Sequence, residues 1–313
     1  MKKTIIAASL TALAMGSAVA ANNNDYNQAM GAKTTYGADS PNQGGKLTGG
    51  WYYQKENVQA NTDLNHGSVS TNITLTGGSF DELIGGNHIK LPDYKDTHNV
   101  KIGDTKVTMT GGSVEYFIGG SKANNSDTTN LTTGNVTAVI SEGSIGNQKS
   151  TSEYPVSAIG GSYVKSTDPK GGTPASTNAE TGNISLSVSG GTFYGAVFGG
   201  SVADNYSEEQ AGSDSSKPDL SITTGVSSLL IEGGTFKSTD IIQPKDYGFG
   251  VFGGSAALGQ KPSTESSGSS VIIDAKNDVD ITGRVVGGDL LGFGGSGENA
   301  TSSPIDGSLL HLK

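Results

Sequence analysis

Apolar residues alternate with Thr, Ser and acidic residues in short runs: Ile73 and Leu75, Val107 and Met109, Leu186 and Val188, Val279 and Ile281. A period of two, rich in β-branched residues, predicts half-buried strands. Each run leads into Gly-Gly or a variant such as Glu142-Gly143. Glycine reaches positive φ without a Cβ clash, so this first pair reads as a sharp corner. One large apolar residue follows: Phe80, Val114, Ile145, Phe193 or Phe236. A second short strand then ends in Ile84, Ile118, Ile159, Phe198, Phe252 or Phe293, and a second Gly-Gly closes the unit.

The pattern is a repeat. Residues 73–87 read ITLTGGSFDELIGGN, residues 107–121 VTMTGGSVEYFIGGS, and residues 186–201 LSVSGGTFYGAVFGGS. A fourth copy opens as LLIEGGTF at 229–236 and closes as VFGGS at 251–255. A weaker copy opens as AVISEGSI at 138–145 and closes as AIGGS at 158–162, and a degenerate one runs VDITGRVVGGDLLGFGGS at 279–296. One copy cannot bury its own apolar face, so the copies are expected to stack as a solenoid with parallel strands. Stacking gathers Phe80, Val114, Ile145, Phe193 and Phe236 into one core ladder, and Ile84, Ile118, Ile159, Phe198 and Phe252 into another. The polar stretches 121–135, 162–183, 201–227 and 255–277 read as solvated loops, and insertions fall at about 146–156 and 237–249.

The chain opens with Lys2 and Lys3, an apolar run from Ile5 to about Met15, and Ala18-Val19-Ala20. This is the pattern of a secretory signal peptide, with cleavage expected after Ala20. Residues 1–20 are thus assigned to export, residues 21–45 to a flexible or capping segment, and residues 46–313 to the repeats. The net charge is −10, with a single Arg at 284. Such a chain is repelled by phosphate backbones, so nucleic acid is excluded as a partner. Glycine reaches 48 of 313 residues, about twice the ordinary level, while cysteine is absent. In an exported chain this favours a repeat architecture that needs no disulfide staples.

The TGGSF…IGGS grammar, the export signal, the lack of cysteine and the polar inter-repeat stretches resemble the passenger region of bacterial autotransporters. The resemblance covers roughly residues 45–313. It implies an all-β, right-handed parallel β-helix at the cell surface or outside the cell, serving as an adhesive or structural segment. The expected partners are a host-surface or neighbouring-cell ligand, or a second copy of the chain. The family attaches to the outer membrane through a C-terminal β-barrel, which this sequence lacks. GSLLHLK at 307–313 resembles SSLLIEG at 227–233, so the repeats are expected to be incomplete at the C-terminus.

Some β-helix proteins cleave polysaccharides, so carboxylate pairs matter. Asp81, Glu82, Glu115 and Asp289 are the candidates. Adjacent residues on a strand face opposite ways, so Asp81 and Glu82 cannot act together, and all four read as solvated. Arg284 reads as a corner substitution. His66, His88, His98 and His311 lack zinc spacing and read as exposed loop residues. Trp51, Tyr52 and Tyr53 read as an aromatic cap over the end of the stack. No catalytic, cofactor-binding or metal-binding residue is assigned, and no cofactor is expected.

Overall fold

The computed structural model describes residues 26–28, 33–39, 44–54, 63–90, 97–125, 128–150, 155–166, 176–205, 220–237, 249–259, 262–293, 301–302 and 308–312. The expected signal peptide lies outside them. The described residues form strands and turns without a helix, in one 21-stranded and one 7-stranded sheet. Every strand pairing among them is parallel, and each joins equivalent positions of successive repeats.

A repeat has four strand segments, here lettered a to d. Counting the layer of Lys33–Tyr36 and Tyr52–Gln54 as the first repeat, those of the third are Thr97–Ile102 (a), the first and second halves of the continuous strand Thr105–Ile118 (b and c), and Lys122–Asn125 (d). The register follows the sequence alignment. Val107 lies opposite Ile73 and Ala138, and Val114 opposite Phe80 and Ile145. Phe193 follows in the same column, and its ring stacks on Phe236 with centroids 4.6 Å apart. These b and c residues form the main core with Leu83, Phe117, Ala158, Val197 and Val251.

The first glycine pair interrupts the strand at Gly77-Gly78 but not at Gly111-Gly112, Gly190-Gly191 or Gly233-Gly234. The strand runs through Gly111-Gly112 and bends there, as does Leu220–Lys237 at Gly233-Gly234. The second glycine of the pair takes φ of +85° at Gly112 and +98° at Gly191, with a register irregularity alongside. The ladder is irregular here without a net change of register, and glycine supplies the left-handed residue.

The second pair is the corner, and it needs glycine for a different reason. A Cβ on Gly85 would lie 2.0 Å from the carbonyl oxygen of Gly119, and one on Gly119 equally close to that of Gly160. The turns stack backbone on backbone: Gly119 N donates to Ile159 O and Gly120 N to Gly161 O, both at 2.9 Å.

The stretches read as solvated loops contain strands at their ends. Tyr163–Ser166, Val202–Asn205 and Ala256–Gly259 extend the d column, and Thr128–Thr133 and Thr177–Thr181 the a column. Their inward positions carry hydroxyls as well as carbon. Ser121, Ser162, Ser201 and Ser255 stand one above another beside the corner, each with 0% exposure. Ser121 N donates to Ser162 Oγ (3.3 Å), Ser162 N to Ser201 Oγ (3.1 Å) and Ser201 N to Ser255 Oγ (3.1 Å). Asn87 opens this ladder and Asp289 ends it, accepting from Ser255 N at 2.7 Å. Thr133 and Thr181 donate into it from the a column. A second ladder at the a–b bend links Asp104, Asn135, Asn183 and Val226 N. The buried serine hydroxyls are thus paired with the neighbouring repeat.

The last repeat also differs from expectation. Val286, not Phe293, pairs with Phe252, so Gly287-Gly288 forms the corner and Leu290–Phe293 is a d strand. Arg284 is an exposed residue opening the preceding c strand. Tyr52 and Tyr53 belong to the d strand Tyr52–Gln54, and Trp51 immediately precedes it. Tyr53 packs in the interior, and Trp51 stacks on His66 at 3.9 Å. Part of the segment expected to be flexible or capping also pairs: Lys33–Tyr36 lies parallel to Asn72–Leu75.

Candidate functional site

The c segment is buried on both faces just before the corner. Leu83 and Phe117 face the main core, whereas Ile84 and Ile118, one residue on, face the opposite way. Ile159, Phe198 and Phe252 continue this outward column and pack against Tyr163, Val202, Ala256 and Leu258 of the d column. The two columns therefore enclose a crease on the far side of the sheet from the main core. The second ladder expected from sequence is real, but it fills this crease rather than the main core.

Toward the early repeats the crease becomes polar. The c position two residues before Ile84 and its equivalents holds Lys46, Glu82 and Tyr116 in register. The facing d position holds Tyr52, His88, Lys122 and Tyr163. Glu82 bridges Lys46 at 3.0 Å and Lys122 at 2.9 Å, and only 6% of Glu82 is exposed. Lys122 Nζ also lies 5.3 Å from the centre of the Tyr116 ring and 5.4 Å from that of Tyr163, within cation–π range. Tyr163 donates to Asp204 Oδ2 at 2.7 Å, and Lys165 reaches the same oxygen at 3.4 Å. The solvated reading of Glu82 and the exposed readings of His88 and His98 are therefore corrected: all three are buried.

The electrostatics follow from this packing. Burial pushes the Glu82 carboxyl up, but Lys122, His88 and Lys46 outweigh it and hold the group at about 2. Burial takes His88 down to about 3, with Glu82 opposing the effect and Lys122, Lys46 and Lys90 adding to it. Burial, followed by the Asp204 charge, raises the Tyr163 hydroxyl, which stays protonated as a donor. Glu82 is thus a fixed anion and His88 a neutral imidazole at neutral pH.

Beside this cluster lies a cleft of about 60 Å³. Tyr116, Tyr163 and Tyr194 line it, with Glu115, Lys165 and Asp204. Asn147 and Ser150, at the base of the 146–156 insertion, form another wall. Asn147 Nδ2 donates to Glu115 Oε1 at 3.3 Å, and Asn147 Oδ1 accepts from Lys149 N at 2.9 Å, so the insertion is anchored to the c strand.

The four carboxylates weighed from sequence do not meet in one site: Asp81 and Glu115 stand level in neighbouring layers of the c column, between the paired positions Phe80–Val114 and Glu82–Tyr116, and Glu82 and Asp289 lie elsewhere. Glu82 holds lysines in the second repeat, Glu115 is exposed in the third, and Asp289 ends the serine ladder in the seventh. Five strand spacings of about 4.8 Å put some 24 Å between the layers of Glu82 and Asp289, whereas glycosidase pairs stand about 5–9.5 Å apart. The described residues hold no group of three or more His, Cys, Asp or Glu placed to bind a metal ion. Sequence reasoning missed Tyr116, Lys122, Tyr163, Lys165 and Asp204. The available signal was columnar: the d position carrying His88, Lys122 and Tyr163 becomes Val202, Ala256 and Leu290 in later repeats.

The fold and crease define an all-β repeat protein of parallel strands. No known protein family, curated protein or solved structure matches the chain.

Proposed function

We propose that the chain is an exported, surface-exposed segment of an autotransporter-like protein, folded as a right-handed parallel β-helix and serving in adhesion. The observation that carries this reading is the parallel register between equivalent residues of successive repeats. A β-helix has this pairing, and right-handed crossovers are the general rule for parallel strands. Lys2 and Lys3, the apolar run and Ala18-Val19-Ala20 support export. The ligand is a molecule on a host or neighbouring cell, and a second copy of the chain is the other partner the family resemblance suggests.

The test uses the native bacterium and an antiserum raised against residues 46–313. Labelling of intact cells, with loss of adherence or autoaggregation on deletion of the gene, is the expected result. Labelling only after the envelope is permeabilised would overturn the surface assignment. Unchanged adherence and aggregation in the deletion strain would overturn the adhesive one.

A further inference from the structure

We infer that the tyrosine-lined cleft beside the crease is a glycan-binding site that takes the edge of a neutral pyranose. The inference rests on the adhesive reading above and gives it a ligand class and a location.

Charge narrows the ligand first. The cleft wall carries two carboxylates, Glu115 and Asp204, and one ammonium, Lys165. Lys122 lies 5.3 and 5.4 Å from the centres of the Tyr116 and Tyr163 rings and is occupied by Glu82. An anionic ligand would meet Glu115 and Asp204. A cationic one would have to displace Lys165, which already holds Asp204 at 3.4 Å. What this wall accommodates is an uncharged ligand rich in hydroxyls, which can accept from the ammonium and donate to the carboxylates.

The rings supply the second constraint. Tyr194 follows Phe193, which points into the main core, so Tyr194 projects from the outer face of the c strand. It is partly exposed, as is Tyr116. Tyr116 and Tyr163 lie nearly parallel, 14° apart in plane. Partly exposed rings beside fixed polar groups suit a ligand with one apolar face and a hydroxylated edge, which a pyranose has. The 60 Å³ recess admits hydroxyl or hydroxymethyl groups, while the ring itself rests on the partly exposed Tyr194.

The position is specific to this part of the stack. Asn147 and Ser150 come from an insertion that the preceding repeats lack, and the c and d columns turn apolar beyond it. Inserted loops on a rigid scaffold are where binding residues concentrate.

The experiment is saturation-transfer difference NMR on the mature chain with methyl glycosides of glucose, galactose, mannose and N-acetylglucosamine. At least one should show saturation transfer, with affinity falling at least tenfold in Tyr194→Ala and largely retained in Tyr194→Phe. Thermal unfolding of both variants should match that of the wild type, because Tyr194 lies outside the core. The inference is overturned if none of the glycosides shows transfer, or if transfer is unchanged in Tyr194→Ala. Adherence of cells carrying Tyr194→Ala separates this outcome from failure of the adhesive reading. Full adherence there refutes the glycan site alone, whereas loss of adherence only on whole-gene deletion leaves adhesion standing.

Discussion

Gly119→Ala should cost far more than the usual exchange of a surface glycine. The added Cβ would lie 2.0 Å from Gly160 O and 2.8 Å from Val136 Cγ1, one of them backbone and the other buried. Carbon and oxygen atoms need more than 3 Å, so the third and fourth repeats must part by about 1 Å at the corner. Gly119 N→Ile159 O, Gly120 N→Gly161 O and Thr105 Oγ1→Gly119 O, all 2.9 Å, cross or brace this junction. Overpacking costs about 1–3 kcal/mol, and each of the three weakened hydrogen bonds about 1 kcal/mol, giving a loss of about 4–6 kcal/mol. Gly44→Ala is the control. Gly44 has φ of +85°, yet nothing lies within 4 Å of the new Cβ. Its cost is the left-handed conformation alone, about 1–2 kcal/mol, partly offset by a stiffer unfolded chain. Urea unfolding followed by circular dichroism would compare the two. If Gly119→Ala lost no more stability than Gly44→Ala, close stacking would not be the reason for glycine at the corner.

Two further perturbations follow. The crease makes the protein acid-labile. His88 is held at about 3, below its ordinary 6.5, and Glu82 at about 2, below 4.5, so the unfolded chain binds protons first in both cases. Stability is therefore full above pH 6.5, falls with His88 between about 6.5 and 3, and falls further with Glu82 between about 4.5 and 2. His88→Gln should flatten the upper part of a plot of melting temperature against pH, and an unchanged profile would contradict this. Ser162→Ala removes the acceptor of Ser121 N and the partner of Thr181 Oγ1. Stranding those buried donors should cost about 1–3 kcal/mol by urea unfolding, and a neutral result would count against the serine ladder as a stabilising element.

The b and c segments were legible because their inward residues are large and apolar and recur at a constant offset from the glycine pairs, as Ile73, Val107 and Leu186 do. The a and d segments were not. Thr129, Thr133, Thr177 and Thr181 are buried inward residues, but in sequence they look like a polar loop, since their hydroxyls find partners only in three dimensions. Both glycine pairs were visible, yet their roles were not: a left-handed kink within a strand and a corner share one dipeptide, and only φ and the neighbouring backbone distinguish them. Glu82 looked like a surface acid because Lys46 and Lys122, its partners, lie in the preceding and following repeats.

Burial on both faces of the c segment has a consequence for alignment of the stack. In an ordinary sheet, sliding a strand by one residue turns its apolar side chains to water, and that penalty fixes the pairing. Leu83-Ile84, Phe117-Ile118 and Val197-Phe198 would exchange one apolar environment for another. Oil-like burial is thus nearly blind to a slip at this point. The frame must be kept by features that tolerate no offset, namely the glycine corner, where a side chain would strike the next turn, and the serine column, whose donors and acceptors meet only when the turns coincide. The apolar pair is thereby free to vary in size and shape from one layer to the next, while the small residues that follow it are not.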